Sequence, residues 1–160
     1  MGAAARRIYS RSSDLANLSR MEVRPSSLPY DGEKKIRQAL RIAKQNGKRV
    51  LIQSSAQGCT WCHVLHKLLT TNQEIMAKIE QDFVYVLVDT TNDQHRDFYK
   101  KYSNGTDHTL VLIVLDEDGK ELSQCVGFDI VQADSQHVGN YHITAEHILG
   151  FLNDWSLKRL

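Results

Sequence analysis

Proline is almost missing from this 160-residue chain: Pro25 and Pro29 are the only two. No position after residue 29 can therefore hold the X-Pro bond that makes a cis peptide affordable. Cysteine is scarce as well. Three in the whole chain are too few for a disulfide scaffold, and two of them, Cys59 and Cys62, stand three positions apart, a spacing that reads as redox or metal chemistry. An excess of one charge is also lacking, since 20 Lys and Arg face 19 Asp and Glu. No net field draws the chain to nucleic acid or to a membrane surface. No run approaches the roughly 20 apolar residues of a membrane span, so a soluble protein with no membrane span is expected. The start of the chain lacks the apolar stretch of a secretory signal. Read as it stands, the sequence is expected to be cytoplasmic, or periplasmic or secreted if a signal has been removed.

What remains is enough for one domain with a sizeable core. Residues 1–30 form a mildly basic, Ser- and Ala-rich extension and linker that ends with the two prolines, and residues 31–160 form the domain. Ile36, Ala39, Leu40 and Ala43 recur at helical spacing, with Asp31 as N-cap and Gly47 as stop. Arg49 to Ser54 reads as a strand. Trp61, Val64, Leu65 and Leu68 mark the apolar stripe of a helix that starts at Cys59. Thr71-Asn72-Gln73-Glu74 fits a capping box ahead of a short helix carrying Ile75, Met76 and Ile79. Phe83 to Val88 is apolar throughout, as in a central strand. A weaker helix follows over Asp93 to Tyr102, and Asn104-Gly105 reads as a turn. Leu110 to Leu115 and Glu121 to Val126 form a hairpin around Asp116-Glu117-Asp118-Gly119. Residues 128–143 read as a long irregular loop. A last helix runs from Thr144 with Ile148, Phe151, Leu152 and Trp155 on one face. Strands alternating with helices imply an α/β fold with a mixed sheet covered on both sides.

Two cysteines separated by two residues at a helix N-terminus can close a small disulfide ring. The unpaired N–H groups there favour a thiolate on the first of them. Cys59 is thus the exposed nucleophile and Cys62, one turn deeper, the resolving thiol.

On Val50-Leu51-Ile52-Gln53, Cys59-Thr60-Trp61-Cys62-His63, Val86-Leu87-Val88-Asp89, Val111 to Lys120 and the closing helix around Phe151-Leu152, the chain resembles the thioredoxin superfamily. It is most similar to bacterial thioredoxin-like members with an extra N-terminal helix and a Cys-x-Trp-Cys-His motif. The resemblance implies the thioredoxin fold and thiol-disulfide exchange with protein or small-molecule substrates, without an organic cofactor. It also implies that Cys59 attacks a substrate disulfide and Cys62 resolves the mixed disulfide. Three positions depart from the family pattern. Gly58 replaces the tryptophan before the first cysteine, and Gln53 replaces a buried carboxylate. Leu110 aligns with the cis-proline that faces the disulfide. A cis bond before Leu110 would cost about 3 to 4 kcal/mol, so a trans bond is expected. With Gln53 unable to take a proton, His66 is a candidate acceptor for the proton of Cys62.

Other readings stay open. Cys59, Cys62, His63 and His66 fall at i, i+3, i+4 and i+7, a face that could hold Zn2+. Cys59-x-x-Cys62-His63 also matches the c-type haem attachment signature. The alternative to an enzyme is a binding module that kept the fold and lost efficient turnover. Cys125 is expected to be a buried small hydrophobe, and His137 and His142 surface residues. The electron donor, the direction of exchange and the oligomeric state are not legible; Thr60-Trp61 adds no positive charge and leans toward a reducing or intermediate couple.

Overall fold

The computed structural model describes residues 32–91, 101–102, 108–133 and 140–157. Asp31, the segment before it, most of the helix expected over Asp93 to Tyr102, the Asn104-Gly105 turn and His137 lie outside the described residues; Lys101 and Tyr102 are helical.

Helix α1 (Gly32–Asn46) buries Ile36, Ala39 and Ala43 and ends before Gly47. It leads into β1 (Arg49–Ser55), then α2 (Thr60–Thr71), α3 (Gln73–Asp82) and β2 (Phe83–Asp89). The hairpin strands are β3 (Val111–Leu115) and β4 (Glu121–Val126); a 3-10 turn (Gly127–Asp129), the short strands β5 (Gln132–Ala133) and β6 (Tyr141–His142), and α4 (Ala145–Asp154) complete the fold. Four strands form one sheet in the order β2-β1-β3-β4. The β1 and β2 strands run parallel, and the other pairs are antiparallel. This is the mixed α/β sheet with an additional N-terminal helix that the sequence implied.

Successive strand residues face opposite sides, so the sheet divides the core into two layers. Val50, Ile52, Val84, Val86, Val111 and Ile113 pack under α1. Leu51, Phe83, Tyr85, Leu112 and Val114 pack under α2, α3 and α4, with Cys62, Leu65, Leu69, Ile148 and Leu152 coming from those helices. The central position of β1 explains why Val50 to Ser54 are all buried, polar Gln53 and Ser54 included.

Three local expectations are corrected. In α2 the buried stripe is Cys62, Leu65 and Leu69, while Trp61 and Val64 are exposed. Facing Cys62 inward turns the helix about one residue away from the phase that hydrophobicity suggested. The cap of α3 is Asn72 and not Thr71: Asn72 Oδ1 accepts from the Ile75 N–H at 3.0 Å, and Thr71 belongs to the last turn of α2, its hydroxyl donating to the Lys67 carbonyl at 2.6 Å. Residues 128–143 are not wholly irregular, because Gln132 and Ala133 pair antiparallel with His142 and Tyr141.

Asn72 also donates its backbone N–H to the Leu68 carbonyl, so one residue joins α2 to α3. Asn72→Ala should lower unfolding stability by about 1 kcal/mol in urea titration, the usual cost of losing a helix cap. Thr71→Ala should change it by less than about 0.5 kcal/mol; the reverse ranking would restore Thr71 as the cap.

Candidate functional site

The site begins with a turn at the end of β1. The Cys59 N–H donates to the Ala56 carbonyl at 3.1 Å, closing Ala56-Gln57-Gly58-Cys59, and Gly58 sits at φ +81. That left-handed backbone suits glycine and strains a side chain. A tryptophan here would require a different turn, which accounts locally for the departure at this position. The turn is held from β2: Thr90 donates to the Ser55 carbonyl through N–H (2.6 Å) and Oγ1 (3.0 Å), and the Gln57 N–H donates to Thr91 Oγ1 at 2.9 Å.

Cys59 is the N-cap of α2, and its Sγ accepts from the Cys62 N–H at 3.3 Å. The two sulfurs are joined in a disulfide with a Cα–Cα distance of 5.3 Å. Cys62 is completely buried and Cys59 only partly so. Of the two, only Cys59 is open to attack or to making one. The Cys62 sulfur lies 3.6 Å from the Thr109 carbonyl oxygen, a contact that becomes a thiol's hydrogen-bond acceptor once the disulfide is reduced.

Beneath the first turn of α2, Gln53 is fully buried. Its Nε2 donates to the Cys62 carbonyl at 2.9 Å, and its Oε1 accepts from the Tyr85 hydroxyl at 2.5 Å. His66 Nδ1 stands 2.9 Å from the same hydroxyl, with the two rings stacked at 6.2 Å between centroids. His66 is therefore tied to Tyr85, and a neutral amide occupies the place of the family's carboxylate. Tyr85 escaped the sequence reading. Its one signal was a phenol at an inward position of an otherwise apolar strand, two residues from Phe83 on the same face.

Opposite the disulfide, no peptide bond among the described residues is cis, so Leu110 follows a trans bond as expected. The surrounding main chain is committed internally. Ser54 Oγ donates to the Thr109 carbonyl and accepts from the Val111 N–H at 2.9 Å, and the Leu110 carbonyl accepts from the Gly127 N–H at 2.9 Å. Leu110 itself is buried. Beside it opens a groove of about 470 Å³ whose walls include Cys59, Trp61, Leu110, Phe128, Val131 and Tyr141. Phe128 is 84% exposed on its 3-10 turn and Tyr141 is 51% exposed on β6, so both show an unusual amount of aromatic surface. Neither was singled out in the sequence, because both lie in the stretch read as irregular.

The remaining candidates separate in space. His63 is exposed, His66 faces Tyr85, and both sulfurs are bound to each other, so Cys59, Cys62, His63 and His66 do not converge. Among the described residues, no group of three or more His, Cys, Asp or Glu side chains is arranged to hold a metal ion. His142 is exposed. Cys125 is buried opposite Leu112 in the hairpin and is not disulfide-bonded. Burial, with a smaller contribution from the Asp129 carboxylate, pushes its thiol up to about 11.

A family model described as a thioredoxin-like domain matches residues 36–135. Among solved structures, the chain is similar to a disulphide isomerase from Xylella fastidiosa Temecula1, with a TM-score of 0.56 and 28% identity over 64% of this chain and 79% of that one. It is also similar in fold to a thioredoxin from Thermus thermophilus (TM-score 0.52, 16% identity, 74% and 81% covered). The oxidised C-terminal domain of Neisseria meningitidis DsbD is a third such structure (TM-score 0.52, 19% identity, 64% and 88% covered). No curated protein sequence matches the chain. With more than half of its length matched, and a Cys-x-x-Cys disulfide at the start of the helix that follows the central strand, the protein belongs to the thioredoxin-like family.

Proposed function

We propose that this protein is a thiol-disulfide oxidoreductase that reduces or isomerises disulfides in protein substrates, with Cys59 as nucleophile and Cys62 as resolving thiol. The observation that carries the reading is the asymmetry of the disulfide: Cys59 is partly exposed at the groove wall, and Cys62 has no exposure. The 28% identity to a disulphide isomerase supports the same chemistry.

In the reduced protein the Cys59 thiolate attacks one sulfur of the substrate disulfide. A Cys59–substrate bond forms, the substrate S–S bond breaks, and one substrate thiolate leaves. Cys62 then gives up its proton, attacks Cys59 Sγ, and expels the second substrate thiolate. Two electrons have passed to the substrate, and the 59–62 disulfide is restored for reduction by an external dithiol. If instead a second substrate thiolate attacks the substrate sulfur of the mixed disulfide, a new substrate S–S bond forms, Cys59 leaves as a thiolate, and the net result is isomerisation. The unpaired N–H groups at the start of α2 favour the thiolate of Cys59 in the first step.

The grip on substrate departs from the family pattern. Where a cis-proline would present main-chain groups to an extended segment, the Thr109 and Leu110 carbonyls and the Val111 N–H already have internal partners. Protein substrates are therefore held by apolar contact with Trp61, Phe128 and Tyr141. Strand-like pairing contributes less, and exchange with small disulfides is largely unaffected.

Variant kinetics and thiol labelling test this reading. Cys59→Ser should abolish dithiothreitol-driven reduction of both insulin and oxidised glutathione, and Cys62→Ser should accumulate mixed disulfides through Cys59; activity surviving in Cys59→Ser would overturn the assignment. Wild-type protein should exchange with oxidised glutathione at ordinary rates but reduce insulin poorly. Leu110→Pro should improve insulin turnover, and Phe128→Ala should raise KM for protein substrate by about tenfold, a loss of about 1.4 kcal/mol, while leaving glutathione kinetics alone. Insulin turnover at ordinary thioredoxin rates would refute the claimed defect. Iodoacetamide at pH 8 should label Cys59 first in the reduced protein. Cys125 should label last, because a thiol at about 11 is only about one part in a thousand thiolate there, and its labelling should rise as pH climbs toward that value. Early labelling of Cys125, mapped by peptide mass spectrometry, would contradict its placement in the core.

A further inference from the structure

We infer that His66, Tyr85 and Gln53 form a one-way hydrogen-bond chain that positions Cys62 for the resolving step, with Tyr85 as its pivot. The inference rests on the exchange mechanism proposed above. It assigns the buried polar groups a role other than that of a missing base.

The direction of the chain follows from what each group can donate. The Cys62 carbonyl only accepts, so Gln53 must turn its amide nitrogen toward it, as the 2.9 Å contact requires. Gln53 Oε1 then faces Tyr85 and only accepts as well. The single phenolic hydrogen of Tyr85 is thereby committed to Gln53. What remains at the hydroxyl is a lone pair, so His66 Nδ1, 2.9 Å away, must carry the hydrogen. Every link fixes the next, and reversing one leaves a buried acceptor facing an acceptor.

The path is also closed in space. It leaves α2 at Cys62, crosses to β1 at Gln53 and to β2 at Tyr85, and returns to α2 at His66, four residues on from Cys62. Residues four apart share a helix face. Both ends of one helical turn are thus pinned to two neighbouring strands. A rotation of that turn would swing Cys62 Sγ away from Cys59, and attack within one molecule loses rate steeply when the reacting atoms are misplaced. The first step, attack by the more exposed Cys59, needs no such hold. The chain therefore acts on resolution and not on capture, and Gln53 contributes as a donor to the Cys62 main chain.

Two variants test this. Nitrogen-15 NMR of the reduced and the oxidised wild type should find neutral His66 as the Nδ1–H tautomer, and Tyr85→Phe should shift it toward Nε2–H. In rapid-mixing kinetics Tyr85→Phe should leave formation of the Cys59 mixed disulfide unchanged and slow its resolution about tenfold, so that kcat falls while kcat/KM holds. Gln53→Glu should slow resolution as well, since a carboxylate cannot donate to the Cys62 carbonyl; if the site lacks a base instead, the same change would accelerate it. An Nε2–H tautomer in the wild type, unchanged resolution in folded Tyr85→Phe, or faster resolution in Gln53→Glu would each overturn the inference, with Cys59-dependent exchange left standing. Loss of all exchange in the wild type would instead remove the proposed function, and the tautomer would still report on the chain.

Discussion

The complete burial of Cys62 at the first turn of α2 is the constraint on which the rest of the site depends. The helix begins at Cys59, its N-cap, and the disulfide ties that partly exposed sulfur to the core-facing Cys62 one turn on. The phase of α2 follows, with Cys62, Leu65 and Leu69 inward and Trp61 and Val64 outward. Trp61 is thereby released from the core and becomes part of the groove wall beside Cys59. One covalent requirement thus sets the nucleophile's exposure, the helix packing and the apolar surface next to the reacting sulfur.

Burial of the resolving cysteine brings a polar burden. The strand beneath it carries Gln53 and Ser54 with almost no exposure, and a buried amide or hydroxyl without partners would cost about 1 to 3 kcal/mol. Both are satisfied, in different directions. Gln53 binds upward to α2 and sideways to Tyr85, and Ser54 binds across to the segment before β3. Alternation along β1 makes this division possible, since consecutive residues leave on opposite sides of the strand. One buried polar residue therefore supports the helix that holds the disulfide, and the other fixes the trans segment that faces it.

That trans segment shows how the choice of one residue shapes a site. With leucine at position 110 the chain has no means to hold a cis bond cheaply there, and the trans backbone places its carbonyls where Ser54 and Gly127 reach them. The surface near Cys59 is correspondingly built from side chains, Phe128 and Tyr141 among them, carried by the 3-10 turn and the small β5–β6 pair.

Much of this was determined by the sequence alone. Continuous apolar runs at residues 83–88 and 110–115 marked strands covered on both faces, and a Cys-x-x-Cys between an apolar strand and an amphipathic helix marked the reacting pair, because these signals are local in the chain. The absence of proline after Pro29 likewise decided the trans bond at Leu110. Helix phase was not decided locally: Trp61 is as apolar as the residues that are buried, and only the position of Cys62 against the sheet chose between them. The capping box pointed to Thr71, and the end of α2, which takes up Thr71, moved the cap to Asn72. Tyr85 lies 32 residues from Gln53 and 19 from His66, and Phe128 and Tyr141 meet Cys59 across the whole domain. Contacts of that separation leave no periodicity in a sequence, since they arise only when the sheet brings distant strands and loops to one side of a helix.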